Sequence, residues 1–256
     1  MTEDQEYLRL ASADNFRDVA GDVDGRGYAT ADGGRLRRGV FYRSNDLRLT
    51  DDDHGLLGAI GLRSVIDLRS PAEIELHPDP SVPGADPLHF DAIGIPMERV
   101  AGLTSRTEAR ALMEEVYRGF VTHPKSTTAF GDVLRQLATG GPQLFHCSAG
   151  KDRTGWVAAL LLYVAGVDDA TIESDYLLTN ARTAQSRARV EAEIATHLGP
   201  DAVAVFEPTL VVDTAYLRAA LEALADVHGD RTSYLRDGLG LDDEVLGRLR
   251  SLLRAD

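Results

Sequence analysis

Cys147 and Arg153 bracket a short polar stretch, Ser-Ala-Gly-Lys-Asp, and both residue types suit chemistry on an anion. A thiolate is a strong nucleophile, and the planar guanidinium fork grips two oxygens of one anion. Residues 143–146, bounded by Gly140-Gly141-Pro142 and a glycine-bearing loop, predict a strand before Cys147, and residues from Arg153 through Val164 predict a helix. A tight loop that opens onto a helix N-terminus turns backbone N–H groups inward and forms an anion cradle. The same donors stabilise a thiolate at its base.

The residues between the sulfur and the new helix are the expected phosphate ligands. They are Ser148, Ala149, Gly150, Lys151, Asp152, Arg153 and Thr154. Gly150 permits an unusual backbone angle, and the Thr154 hydroxyl is placed to assist departure of the sulfur. Lys151 is either a solvent-exposed cation or a ligand for a second phosphate. His146 is expected to shape the loop by hydrogen bonding.

The stretch HCSAGKDRTG resembles the signature of cysteine-based protein tyrosine and dual-specificity phosphatases. More narrowly, it resembles the bacterial family typified by the mycobacterial secreted protein tyrosine phosphatase B. Segments 15–18, 42–44, 66–69 and 234–237 match family segments in the same order. The resemblance therefore extends over nearly the full chain.

The resemblance implies phosphomonoester hydrolysis without a metal or other cofactor, through a phosphocysteine intermediate. Family members act on phosphotyrosine, phosphoserine/threonine and phosphoinositides. No Trp-Pro-Asp loop is present to supply the general acid, and Trp156 lies inside a predicted helix. The resemblance assigns the acid to Asp152, with Asp67 as runner-up and Asp91 as a further rival. A helix N-terminus favours the Asp152 carboxylate, whereas a bound phosphate dianion favours its protonated form.

Arg43 and Arg69 each follow a predicted strand, at the sheet edge that carries the loop. Together with Arg17 and Asp67 they are expected to form a substrate mouth. A basic mouth would steer anionic substrates to an otherwise acidic protein.

Two other functions fit parts of the pattern. A catalytically weak phosphate-binding module, a pseudophosphatase, would keep the anion cradle without turnover. The presence of nucleophile, arginine, acid candidate and Thr154 favours the enzyme instead. Arsenate reduction on a similar loop normally needs further thiols, and Cys147 is the only cysteine.

The overall composition limits which partners and which cellular compartment are expected. A net charge of −14 disfavours nucleic acid and anionic membranes as partners. A lone cysteine suits a reducing compartment, and the start MTEDQEYLRL lacks the pattern of a cleaved leader. No apolar run has membrane-spanning length. The sequence predicts a cytoplasmic protein, and export without a cleaved leader would leave no such signal.

Strand and helix patterns alternate up to Gly166, and helical patterns follow to the end. Strands are predicted over 40–42, 64–68, 87–95 and 143–146. The alternation predicts an α/β fold in one domain, residues 1–256. We expect a mainly parallel sheet of four to five strands flanked by helices, tyrosine-phosphatase-like, with a helical C-terminal third. Residues 183–208 fit either an ordinary surface helix or a lid over the site.

Overall fold

The computed structural model describes residues 9–21 and 25–255. The first eight residues, which hold most of the polar N-terminus discussed above, lie outside this range. Its strands are β1 (Arg17–Asp18), β2 (Phe41–Ser44), β3 (Ser64–Asp67), β4 (Asp86–His89) and β5 (Gln143–His146). They form one sheet in the order β1-β2-β5-β3-β4. All neighbours pair in parallel except β1, which runs antiparallel to β2. The α/β fold with a mainly parallel sheet is confirmed.

Helices cover the sheet and make up the C-terminal part of the chain. They are α1 (Asp51–Ala59), α2 (Pro71–Leu76), α3 (Met97–Ala101), α4 (Arg106–Thr122), α5 (Pro124–Leu137), α6 (Asp152–Ala165), α7 (Asp169–Arg182), α8 (Ala184–Leu198), α9 (Pro200–Leu210), α10 (Thr214–His228), α11 (Arg231–Ser233) and α12 (Asp243–Leu253), with a π-helical turn at Tyr234–Gly238. None of those described is long and apolar enough to cross a bilayer.

Alternation along the central strands divides the core between the two faces of the sheet. Val65 and Leu144 face a smaller cluster that includes Leu57 of α1. Their chain neighbours Ile66 and Phe145 face the larger cluster, which holds the buried side chains of α4, α5 and α6. This two-residue period is what a sheet covered on both faces requires.

Capping side chains next to the first turn set several helix starts. The Thr50 side chain accepts from the Asp53 N–H at the start of α1. Ser70 and Glu73 form a reciprocal capping box around Pro71 at the start of α2. Ser105 caps α4, but the Glu108 side chain reaches Thr104 instead of closing a box on Ser105.

The segment 183–208 forms α8 and most of α9. No side chain of α8 is fully buried, and α8 packs mainly against α9. Ser186 at its start contacts the Asp14 carboxylate through both its N–H and its hydroxyl. That this segment forms a lid over the site stays a prediction.

Candidate active site

The loop from Cys147 to Arg153, here called the phosphate-binding loop, joins the end of β5 to the start of α6. Ser44, Asp67 and His146 are in register across β2, β3 and β5, so these strands end together at the loop. Cys147 is 2% exposed. Ligand sites of open parallel sheets form at this carboxyl edge.

Neighbouring segments hold the loop carbonyls and leave its amides free of protein acceptors. The Asn15 amide donates to the Gly150 oxygen at 2.8 Å, and the Asp46 N–H donates to the Ser148 oxygen at 3.0 Å. Gly150 has φ +66°, and a Cβ there would lie 2.4 Å from the Ser44 oxygen. Within the described chain, no acceptor meets the N–H groups of residues 148–151. These free donors, next to a helix N-terminus, suit an anion.

Arg153 forms a bidentate ion pair with Glu73. Its Nη1 and Nη2 donate to the two carboxylate oxygens of Glu73 at 2.8 and 2.6 Å. Nη1 also contacts the Leu68 carbonyl oxygen at 3.3 Å. The Nε–Nη2 edge has no further partner within the described residues. That edge is therefore open for a second bidentate contact with an oxyanion.

Glu73 is itself tied into the loop. Its Oε1 accepts from the Ser148 hydroxyl at 2.5 Å, and its Oε2 accepts from the Ser70 N–H at 2.9 Å. Burial acts to raise the pKa of Glu73, but the Arg153 guanidinium and these donors outweigh it and hold the pKa well below its usual range. Glu73 is thus ionised at neutral pH, with its side chain 30% exposed.

The backbone of the segment after β4 lies against the Arg153 guanidinium. A Cβ built on Gly94 would be 2.9 Å from the Arg153 Cζ and 3.0 Å from its Nη1. Only a residue without a side chain allows this approach. Gly94 and Glu73 together fix where the guanidinium lies.

Asp152, the first residue of α6, lies in a buried network of hydrogen bonds. The Tyr117 hydroxyl donates to its Oδ1 at 2.9 Å, and the Lys151 ammonium donates to its Oδ2 at 2.8 Å. Tyr176 donates in turn to the Tyr117 oxygen at 2.8 Å. Lys151 is therefore buried against its neighbour and not solvent-exposed.

Behind the loop, Arg17 and Arg43 share one buried carboxylate, that of Asp175. Arg17 Nε lies 3.4 Å and Arg43 Nη1 3.0 Å from its two oxygens. Arg43 also donates from Nη2 to the Gly150 oxygen at 3.0 Å. Burial, and then the charge of Arg17, lower the pKa of Arg43 to about 10, which leaves it cationic at neutral pH.

These contacts correct the expected basic mouth. Arg43 is 0% exposed and Arg17 and Arg69 are also buried, so none of the three faces solvent. A buried guanidinium needs a counter-charge, and Asp175, far away in the chain, supplies it for Arg17 and Arg43. The sequence alone does not show those pairings.

Asp67, the runner-up for the general acid, is bound to Arg69. The Arg69 Nε and Nη2 donate to the Asp67 carboxylate, and Nη2 lies 2.7 Å from an oxygen of Asp79. His146 Nε2 is 3.0 Å from the same Asp79 oxygen, and its Nδ1 is 3.3 Å from the Cys147 carbonyl oxygen. The ligand atoms of Asp67, Asp79 and His146 lie within 4.8 Å of one another, as in a metal site. The Arg69 guanidinium is paired with both carboxylates and offsets one of their two negative charges.

The structure also shows the contacts of Asp91 and Thr154, the remaining residues with a predicted catalytic role. Asp91, the remaining rival for the acid, is paired with Lys125 at 2.5 Å. The Thr154 hydroxyl is buried and has no hydrogen-bond partner within the described residues, so the expected contact with the sulfur is not formed. Asp152 is the carboxylate in the phosphate-binding loop itself.

Several residues that shape the site carry no sequence signal for that role. The sequence shows Glu73 only as part of a capping box. It places Gly94 inside the predicted strand 87–95, whereas the strand observed there, β4, ends at His89. Asp175 and Tyr117 lie inside helical patterns. Their roles depend on contacts between distant segments, which periodicity does not report.

Comparison with known proteins agrees with this geometry. A sequence model described as the tyrosine phosphatase family matches residues 8–255. The chain belongs to the tyrosine phosphatase family. It is accordingly a phosphatase, and the family match favours the enzyme over a binding module.

Relatives from three bacteria support the same assignment. The chain is 33% identical to the triple specificity protein phosphatase PtpB of Mycobacterium tuberculosis, over 95% of this chain and 98% of the relative. It is 37% identical to a putative tyrosine-protein phosphatase of Cupriavidus necator, over 92% and 85% of the two chains. A tyrosine-protein phosphatase of Nostoc commune is 31% identical over 82% and 73%.

Proposed function

We propose that this phosphatase hydrolyses phosphotyrosine in proteins through a phosphocysteine intermediate on Cys147. The observation that carries the proposal is the combination of a sulfur at the strand end, unpartnered loop amides and an open edge of Arg153. A tetrahedral dianion seated there would accept from the amides and from the Nε–Nη2 edge. Arg43 and Arg153 both interact electrostatically with the Cys147 sulfur.

In the first step the thiolate attacks phosphorus and forms an S–P bond as the ester P–O bond breaks. The leaving oxygen keeps the bonding electron pair and takes a proton from Asp152. In the second step water attacks phosphorus, Asp152 takes a proton from that water, and the S–P bonding pair returns to sulfur. Inorganic phosphate leaves, and the thiolate and the acid are restored.

The assignment of Cys147 and Asp152 is tested by hydrolysis of p-nitrophenyl phosphate and phenyl phosphate in the presence of a chelator. Cys147→Ser should abolish turnover of both and still bind inorganic phosphate. Asp152→Asn should slow phenyl phosphate more than p-nitrophenyl phosphate, because the poorer leaving group needs protonation more. Wild-type turnover by Cys147→Ser would refute the proposed nucleophile. Equal losses on both substrates in Asp152→Asn would refute the proposed acid.

The preferred substrate is tested by a panel. One relative is named a triple specificity phosphatase. The panel therefore compares phosphotyrosine, phosphoserine and phosphothreonine peptides with soluble phosphoinositides. We expect the highest kcat/KM on phosphotyrosine, and a higher value on phosphoinositides would overturn this preference. We also propose a cytoplasmic, reducing location, because a lone nucleophilic cysteine must stay a thiol.

A further inference from the structure

Three helices bring tyrosines to the start of α6, where Asp152 lies. Tyr117 comes from α4, Tyr176 from α7 and Tyr216 from α10, and all three are buried. The ring centroids of Tyr117 and Tyr176 are 6.2 Å apart at 81°, and those of Tyr117 and Tyr216 are 5.8 Å apart. Packing of this kind fixes the direction of the Tyr117 hydroxyl.

The hydroxyls form a directed chain that ends on the carboxylate. Tyr176 donates to Tyr117 at 2.8 Å, and Tyr117 donates to Asp152 Oδ1 at 2.9 Å. Donors in such a chain polarise one another and strengthen the last bond. Burial first, and then the Asp152 charge, hold the pKa of Tyr117 well above its usual range. Tyr117 therefore stays a neutral donor at neutral pH.

We propose that Tyr117 is a positioning residue for the general acid: its hydroxyl holds Asp152 Oδ1 and so fixes the orientation of the carboxyl group. This inference rests on the proposed role of Asp152. Tyr117 does not give up its own proton, because burial above all holds the pKa of its hydroxyl well above the usual range.

The other charged groups facing Asp152 leave this assignment unchanged. Lys151 donates to Oδ2, and the Arg153 cation interacts with the carboxylate from the next position. Tyr176 and Tyr216 are neutral, because burial above all raises their pKa values. Tyr117 is thus the donor to Oδ1, opposite the Lys151 side.

The test uses Tyr117→Phe in the full chain, with kcat/KM measured against pH on p-nitrophenyl and phenyl phosphate. Loss of a donor to a carboxylate favours the acid form, so the basic limb of the profile should move up by about one pH unit. The kcat on phenyl phosphate should fall about tenfold, and that on p-nitrophenyl phosphate less than about threefold. Tyr176→Phe should shift the limb in the same direction by less.

Tyr234→Phe is the matched control. Tyr234 is as buried as Tyr117, but its hydroxyl meets Trp156 and the Phe120 carbonyl. In this variant the basic limb of the kcat/KM–pH profile should lie at the same pH as in the wild type. Because Tyr117→Phe leaves the Tyr176 hydroxyl without its acceptor, Tyr117→Phe/Tyr176→Phe removes both hydroxyls. That double variant should fold and show the same shift.

A double-mutant cycle separates this inference from the role of Asp152. If Tyr117 acts through the acid, Asp152→Asn/Tyr117→Phe should be no slower than Asp152→Asn alone. A multiplied loss, or an unshifted limb in Tyr117→Phe, would overturn the positioning role while leaving the acid assignment intact. Wild-type leaving-group dependence in Asp152→Asn would refute the acid itself, whatever Tyr117→Phe shows.

Discussion

Glu73 and Asp175 both bind arginines in or near the phosphate-binding loop, but in different surroundings. Asp175 is buried and pairs with both Arg17 and Arg43. Arg43 also donates a hydrogen bond to the Gly150 carbonyl oxygen. Glu73 is partly exposed and binds the two terminal nitrogens of Arg153.

The difference between these carboxylates separates support from substrate binding. Removing Asp175 would strand cations in the interior, where uncompensated charge is costly. Removing the Glu73 charge affects a guanidinium whose Nε–Nη2 edge has no other partner within the described residues. The contacts of Asp175 with Arg17 and Arg43 should therefore govern stability, and the Glu73–Arg153 pair should govern the reaction rate.

Asp175→Asn should have the largest effect, a loss of about 3–5 kcal/mol of unfolding free energy, because it leaves the buried Arg17 and Arg43 without a full counter-charge. Urea unfolding at pH 7 measures it. Asp169→Asn, which alters a surface carboxylate on the same helix, is the control and should change stability little. Equal stability of the two variants would contradict the supporting role.

The same variant has a defined pH signature. Burial acts to raise the pKa of Asp175, but the charges of Arg17 and Arg43 outweigh it and lower the folded-state pKa below the unfolded value. Its contribution to stability is then fully present above about pH 4 and is lost as the pH falls. The stability difference between wild type and Asp175→Asn should accordingly narrow on acidification.

Arg153→Ala should reduce kcat/KM about a hundredfold or more, since a charge-assisted bidentate contact of about 3 kcal/mol is lost. Steady-state hydrolysis of p-nitrophenyl phosphate measures it, with unfolding followed in parallel. Arg153→Lys keeps the charge and should recover only part of the rate, because an ammonium lacks the planar fork. Full activity in Arg153→Lys would show that charge alone suffices.

Glu73→Gln should lower kcat about tenfold, because Arg153 loses its bidentate carboxylate and is positioned less well. Unfolding free energy should change less than it does in Asp175→Asn. The comparison is made at pH 7, where the lowered pKa of Glu73 keeps the wild-type side chain ionised. A rise in kcat would instead show that Glu73 competes with substrate for Arg153.

Gly94→Ala should have the smallest effect, a decrease in kcat of about threefold, because the new methyl group would push against the Arg153 guanidinium. Stability should be almost unchanged. Gly58→Ala is a matched control, since a Cβ there meets only Pro83 at an ordinary 3.8 Å. Identical kinetics for both variants would refute a role of Gly94 in positioning the Arg153 guanidinium.

Local signals in the sequence determined a large part of this protein. The β5 strand, the loop glycine at position 150 and the start of α6 are encoded within a dozen neighbouring residues, so their pattern predicts the phosphate-binding loop. The capping residues Thr50 and Ser70 set helix starts for the same reason. The parallel sheet follows from the order of strands and helices.

Only the tertiary structure decided which charged groups meet. Glu73 and Arg153 are 80 positions apart, and Arg17 and Asp175 are 158 apart. Sequence periodicity places a side chain on a face of its own helix or strand, but it carries no information about the facing segment. The expected basic mouth was therefore wrong although its arginines lie at the predicted sheet edge, and Tyr117 entered the site without any sequence signal.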